Sequence, residues 1–215
     1  MNEETEFNFN SCELNYFKIT PSAAAVVLDF SKFISEQGPT VFKKINQKAS
    51  EYCLKKLIPE ILSPKIGYET SGKPYLLNSS FCISKSHSHS KLAICIDKKK
   101  RTGCDIELIR PKVINVRAKF LNENELPIIS SESIEKNIIA WSVKESLLKV
   151  NSTKTFNFRD KITILELNSD NERETICKAI LEEEKIQECS LRSWKIENYI
   201  FTCVESITEK DEKIF

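Results

Sequence analysis

The chain has 215 residues, 40% of them hydrophobic, with 32 basic and 31 acidic side chains for a formal net charge of +1. That length buries a full core as one domain or as two intimate halves, and so balanced a charge excludes a whole-protein field that would draw the chain to nucleic acid or to a membrane surface. No apolar run approaches a membrane span and the N-terminus is acidic and polar rather than a signal sequence, so a soluble cytoplasmic protein is expected.

Eight cysteines are scattered without a Cys-x-x-Cys pair, and only two histidines accompany them. Cys53, Cys82, Cys95, Cys104, Cys177 and Cys203 sit in apolar patterns, as small reduced core residues do, so structural zinc is not expected. The four glycines, among many Ile, Lys and Asn, reflect compositional bias and carry little about function.

In chain order, residues 12–19 alternate well enough for a first strand. Thr20 ahead of Pro21 has the form of a helix start, which predicts a helix to about Gln37, ended by Gly38-Pro39. A second helix from Thr40 to Ile58 turns Phe42, Ile45, Ala49, Tyr52, Cys53 and Leu57 inward and leaves Lys43, Lys44, Lys48, Lys55 and Lys56 as a basic side, with Pro59 and Pro64 beyond its end. Gly72-Lys73-Pro74-Tyr75 follows a polar turn. A strand at Phe81–Ser84 leads into Lys85-Ser86-His87-Ser88-His89-Ser90. The strands Lys91–Ile96 and Thr102–Glu107, joined by the basic turn Asp97-Lys98-Lys99-Lys100-Arg101, predict a hairpin; the turn reads as a solvated loop or as a surface for an acidic partner.

The stretch from Gly103 to Lys149 carries the chemistry. In Gly103-Cys104-Asp105-Ile106-Glu107, alternation turns Cys104 and Ile106 to one face and places the carboxylates of Asp105 and Glu107 side by side on the other. The segment ending in Trp141-Ser142-Val143-Lys144-Glu145-Ser146-Leu147-Leu148-Lys149 has a helical stripe of Ile134, Ile138, Trp141, Glu145, Leu148 and Lys149. Ile139, Val143, Leu147 and Val150 make the other side apolar too, so the helix is expected to be covered on both faces. Burying Glu145 unpaired costs several kcal/mol, so it needs a cation or a proton. The plainer alternative is an i,i+4 Glu145–Lys149 pair on a wet face, with Asp105 and Glu107 as exposed strand residues.

These two segments together resemble the phosphopantetheinyl transferases, whose pattern is a Gly-x-Asp-x-Glu strand followed by a helix bearing Trp, two residues, Lys-Glu-Ser, and a second Lys. The resemblance spans roughly residues 40–150. It implies an α+β fold of two similar halves related by a pseudo-twofold, 1–109 and 110–215, each with a small antiparallel sheet and packed helices. The chain length suits the long, single-chain branch of the family and hence a monomer.

The implied activity is transfer of the 4′-phosphopantetheine arm of coenzyme A to a serine of an apo acyl, polyketide or peptidyl carrier protein. Adenosine 3′,5′-bisphosphate is released, and Mg2+ or Mn2+ is required. By resemblance, Asp105, Glu107 and Glu145 hold the metal, with Glu145 or a metal-bound water taking the serine proton. Lys149 neutralises the diphosphate, and Lys144 meets phosphate or solvent. Coenzyme A is contacted by Lys48, Lys73, Pro74, Ser86, His87 and Lys149. Two registers fit the family's Ser-His-Ser; His87 is preferred, with Lys85 and His89 as the other candidates. The segment Phe120–Glu125 resembles one where a carrier docks, and Glu125 is either structural or part of the site. After Lys149, where the family has a glycine-bearing loop, this chain has Val150-Asn151-Ser152-Thr153-Lys154-Thr155-Phe156. Strands are predicted at 161–167, 175–181, 191–196 and 199–204, the last two as a hairpin. Two other classes share parts of this pattern: a catalytically silent module that binds coenzyme A or a carrier protein, and a metal-dependent phosphatase or nuclease.

Overall fold

A computed structural model describes residues 7–34, 39–77, 79–150 and 157–210. The order of elements is β1 (Leu14–Lys18), β2 (Ala23–Asp29), α1 (Pro39–Leu57), β3 (Ile66–Tyr68), β4 (Pro74–Leu76), β5 (Cys82–Ser88), β6 (Lys91–Asp97), β7 (Cys104–Leu108), α2 (Lys112–Val116), α3 (Ile134–Val150), α4 (Phe158–Lys161), β8 (Ile162–Asn171), β9 (Glu174–Glu182), β10 (Ile186–Ile196) and β11 (Tyr199–Glu209). This is a mixed α+β fold with three antiparallel sheets: β1-β2-β6-β5, β7-β11-β10-β9-β8, and the small pair β3-β4. Among the described residues, no helix is long and apolar enough to cross a membrane.

The layers follow from which side chains each strand turns which way. In the first sheet, Val26, Leu28, Leu92 and Ile94 bury one face with Ile45, Ala49, Cys53 and Leu54 of α1. Ala25, Val27, Ala93 and Cys95 on the other face pack with Cys104, Ile106, Phe201 and Cys203 of the second sheet. Both faces of this sheet are therefore apolar, and β6 is buried along its whole length. Beyond the second sheet, α3 closes the stack, with Val143 and Leu147 sharing a cluster with Leu191, Ile200 and Val204. The expectation that α3 is covered on both sides agrees with its burial, from Asn137 to Val150 at ten positions.

Two sequence expectations are corrected. The predicted helix from Pro21 to Gln37 does not form; Ala23–Asp29 is a strand paired on both edges, while residues 35–38 lie outside the described residues. Thr20 does act as a cap, but of a turn: its Oγ1 accepts the amides of Ser22 and Ala23, and Ile19 and Thr20 both donate to the Ala23 carbonyl. The run Ala-Ala-Ala-Val-Val-Leu is apolar on both sides, which periodicity alone does not distinguish from a buried helix, and its β-branched residues fit the pleated sheet. The predicted hairpin of 91–96 with 102–107 is absent too. β6 pairs with β2 and β5, whereas β7 crosses to the second sheet and pairs with β11. Asp97 Oδ1 accepts the amides of Lys99 and Lys100, so the basic turn forms, yet the chain leaves it for a different sheet. β7 precedes residue 109 but belongs to the sheet built by β8–β11.

Candidate functional site

β7 and α3 meet where Gly103 precedes the strand. A Cβ on Gly103 would stand 2.0 Å from the Ser146 carbonyl oxygen, so only glycine lets strand and helix backbones approach this closely. With Cys104 and Ile106 turned into the inter-sheet core, Asp105 and Glu107 are left for the α3 side. Lys149 Nζ donates to Asp105 Oδ1 at 2.8 Å and to the Cys104 carbonyl at 3.1 Å. One helical turn and then another back along the same stripe lie Glu145 and Trp141, and Trp141 Nε1 donates to Glu107 Oε1 at 3.3 Å.

From the other side, β5 reaches the same acids. Ser86 Oγ donates to Asp105 Oδ1 at 2.8 Å and Ser88 Oγ to Glu107 Oε2 at 3.3 Å. The strand alternates, so Lys85 and His87 face away from these serines, into a cavity of about 650 Å3 between β5 and α1 that Phe42, Lys43, Asn46 and Lys65 also line.

The electrostatics are those of crowded acids. Burial pushes the Glu145 carboxyl up to about 7, and the negative charges of Asp105 and Glu107 push the same way against Lys149. Burial and Asp105 also raise Glu107, against the hydrogen bonds from Trp141 and Ser88. Burial by itself lowers the Lys149 ammonium, but Asp105, Cys104 and Glu145 outweigh it and hold the pKa above the usual lysine value. Asp105 Oδ2 is buried and has no hydrogen-bond partner among the described residues. An oxygen-only donor set with an orphaned carboxylate oxygen and two acids reluctant to ionise fits a hard divalent cation such as Mg2+. As the side chains stand, no three His, Cys, Asp or Glu groups among the described residues converge closely enough to hold an ion, and Lys149 sits on Asp105.

The other predicted positions separate into groups. His87 is at the cavity mouth, its ring 5.7 Å from that of Phe42; burial and the charges of Lys85 and Lys149 lower its pKa. Lys85 lines the same cavity, its ammonium lowered to about 8 by burial. His89 instead makes the β5–β6 turn with a φ of 50° and lies within 3.4 Å of Arg110 Nη1. Ser86 belongs to the acids and not to the cavity. Lys48 is exposed, pairs with Glu51 at 3.3 Å, and does not line the cavity. Lys73 donates to the Val150 carbonyl at 3.0 Å, at the C-terminal end of α3 where a cation is favoured, and Pro74 opens the short strand β4 beside it. Residues 151–156, the glycine-free loop after Val150, lie outside the described residues.

Lys144 corrects an expectation. It meets neither phosphate nor solvent but is fully buried, 2.8 Å from Glu125 Oε2 and 2.7 Å from the Ile162 carbonyl. Glu125 is structural: its carboxylate also accepts the amides of Asn122 and Ile164. Two participants escaped sequence reasoning. Asn46 lines the cavity with a buried Nδ2 that has no hydrogen-bond partner among the described residues, and nothing in the helical pattern marks it. Ser88 had a signal, the alternation Ser84-x-Ser86-x-Ser88 along one strand face.

Acids and a lysine are thus shared between one strand and one helix, beside a cavity lined by Lys43, Lys65, Lys85 and His87. Comparison sharpens this: residues 101–204 match the family model of the 4′-phosphopantetheinyl transferase superfamily, so this segment is a domain of that superfamily. The matched segment holds β7, α3 and β8–β11; the cavity strand β5 and helix α1 lie before it. No curated protein matches the chain.

Proposed function

We propose that the chain transfers 4′-phosphopantetheine from coenzyme A to a serine hydroxyl of an apo acyl, polyketide or peptidyl carrier protein. The observation that carries this reading is the assembly of Asp105, Glu107, Glu145 and Lys149 across β7 and α3, inside the segment that matches the superfamily. Asp105, Glu107 and Glu145 are the residues that would hold Mg2+, or Mn2+ in its place. When bound, such an ion supplies positive charge to the diphosphate and to the oxygen that leaves.

The chain's own groups do the rest. A serine Oγ–P bond forms while the bond from that phosphorus to the oxygen of adenosine 3′,5′-bisphosphate breaks. Glu145, with a pKa near neutrality, is matched to accept the serine proton at physiological pH. Lys149 offers its ammonium to the charge that builds on the departing phosphate. The cavity beside Lys85 and His87 takes the phosphorylated nucleotide end, while the exposed lysines of α1 suit an acidic carrier. One long helix against each of the two larger sheets supports reading the chain as two α+β halves of the long, single-chain type.

A silent binding module is the second reading, favoured by the absence of a three-ligand cluster among the described residues. Intact-mass measurement of apo carrier proteins incubated with the chain, coenzyme A and Mg2+ separates the two. A gain of one phosphopantetheine, lost with chelator, is the expected result. Coenzyme A binding without any gain across a carrier panel would replace the transferase with the module.

A further inference from the structure

β5 is an edge strand of the first sheet and β7 an edge strand of the second, and the two are not partners in any strand ladder. Serine side chains bridge the seam instead. Ser84 Oγ accepts the Cys104 amide at 3.0 Å, Ser86 Oγ donates to Asp105, and Ser88 Oγ lies 3.3 Å from both Glu107 Oε2 and the Leu108 amide. All three serines are buried. The Ser84 hydroxyl meets a backbone amide, whereas Ser86 and Ser88 each grip a carboxylate. The opposite face of the same strand presents Lys85 and His87 to the cavity. One rigid strand thus spans the two halves of the site.

We propose that Ser86 and Ser88 are positioning residues that hold Asp105 and Glu107 in the orientation that binds a divalent cation, at a spacing from the nucleotide cavity fixed by β5. The inference rests on the proposed function. A hydroxyl donating to one carboxylate oxygen fixes the carboxylate plane and leaves the other oxygen directed, which is what a ligand's outer partners do. Asp105 shows the result: Oδ1 takes Ser86 and Lys149 while the buried Oδ2 has no hydrogen-bond partner among the described residues. The two hydroxyls are engaged with the carboxylates, so their loss changes the acids' aim without removing a carboxylate ligand.

The test uses the full chain, Mn2+ as the probe and electron paramagnetic resonance to count free ion, with coenzyme A binding measured separately by calorimetry without metal. Ser86→Ala and Ser88→Ala are each expected to weaken Mn2+ binding by about tenfold or more, with melting temperature and coenzyme A affinity close to those of the parent. Ser84→Ala, which removes a seam contact but no carboxylate partner, should leave Mn2+ binding as it was. Ser86→Thr keeps the hydroxyl and should retain binding; it decides the question if Ser86→Ala does not fold. Unchanged Mn2+ affinity in the serine-to-alanine variants, an equal loss in Ser84→Ala, or no Mn2+ binding by the parent would each overturn the proposal. Loss of Mn2+ binding in a chain that modifies no carrier would keep this inference and sink the transferase reading. Normal transfer and Mn2+ binding in the variants would do the reverse.

Discussion

Lys144 Nζ lies 2.8 Å from Glu125 Oε2 with both side chains fully buried, so the helix that carries Glu145 and Lys149 is pinned to the preceding loop and to β8 by a charge pair that water does not reach. Removing one partner strands the other charge in the core. Lys144→Ala and Glu125→Ala are each expected to cost about 3–5 kcal/mol in urea unfolding. Glu125→Gln should cost less than Glu125→Ala because it still accepts amide hydrogens.

The close approach of β7 and α3 gives a second prediction. Gly103→Ala places a methyl against the Ser146 carbonyl, a backbone atom that moves only if the helix moves. A loss of about 3 kcal/mol is expected, along with a fall in transfer, since Lys149 and Asp105 are separated by the same displacement. An unfolding midpoint equal to the parent's would show that the contact is not tight in solution.

Glu145 predicts a pH dependence. Its folded-state pKa is near 7 against an ordinary 4.5, so between those values the folded chain binds more protons than the unfolded one. Stability of the metal-free protein must then decline as pH rises from about 4.5 to 7 and level off above. Glu145→Gln removes that decline and is expected to be more stable than the parent at pH 8, by roughly 1–3 kcal/mol. The same variant should lose transfer by at least about a hundredfold. Divalent cation affinity of the parent should rise as pH increases through 7, because the ion competes with that proton.

The cavity gives a fourth. Lys85 lines it and Lys48 does not. Lys85→Ala should weaken coenzyme A binding roughly tenfold or more, the value of a charge-assisted contact, with Lys48→Ala indistinguishable from the parent by calorimetry. Equal losses in both would mean that the ligand lies along the exposed side of α1 rather than in the cavity.

The site was more legible in the sequence than the fold around it. Alternation in 103–107 and helical spacing in 134–150 are local signals, and the structure sets that strand against that helix, with Lys149 on Asp105 and Trp141 on Glu107. Lys144 was misplaced because a lysine between Val143 and Glu145 has no local mark of burial; its partner is 19 residues away and becomes a partner only when the loop folds back. The helix expected after Thr20 failed because a hydroxyl that accepts nearby amides caps a turn as readily as a helix. Whether β6 pairs with β7 or with β5 is a question of long-range pairing, on which a basic turn between two apolar runs is silent.

One contact between the sheets has a use beyond architecture. Cys95 of β6 and Cys203 of β11 bring their sulfurs to 3.2 Å across the interface, both wholly shielded from solvent and both unoxidised. A thiol reagent reaches them only when the two layers part. The alkylation rate of this pair is therefore a clock for that parting, and the acids on β7 are coherent with the cavity on β5 for as long as it does not tick.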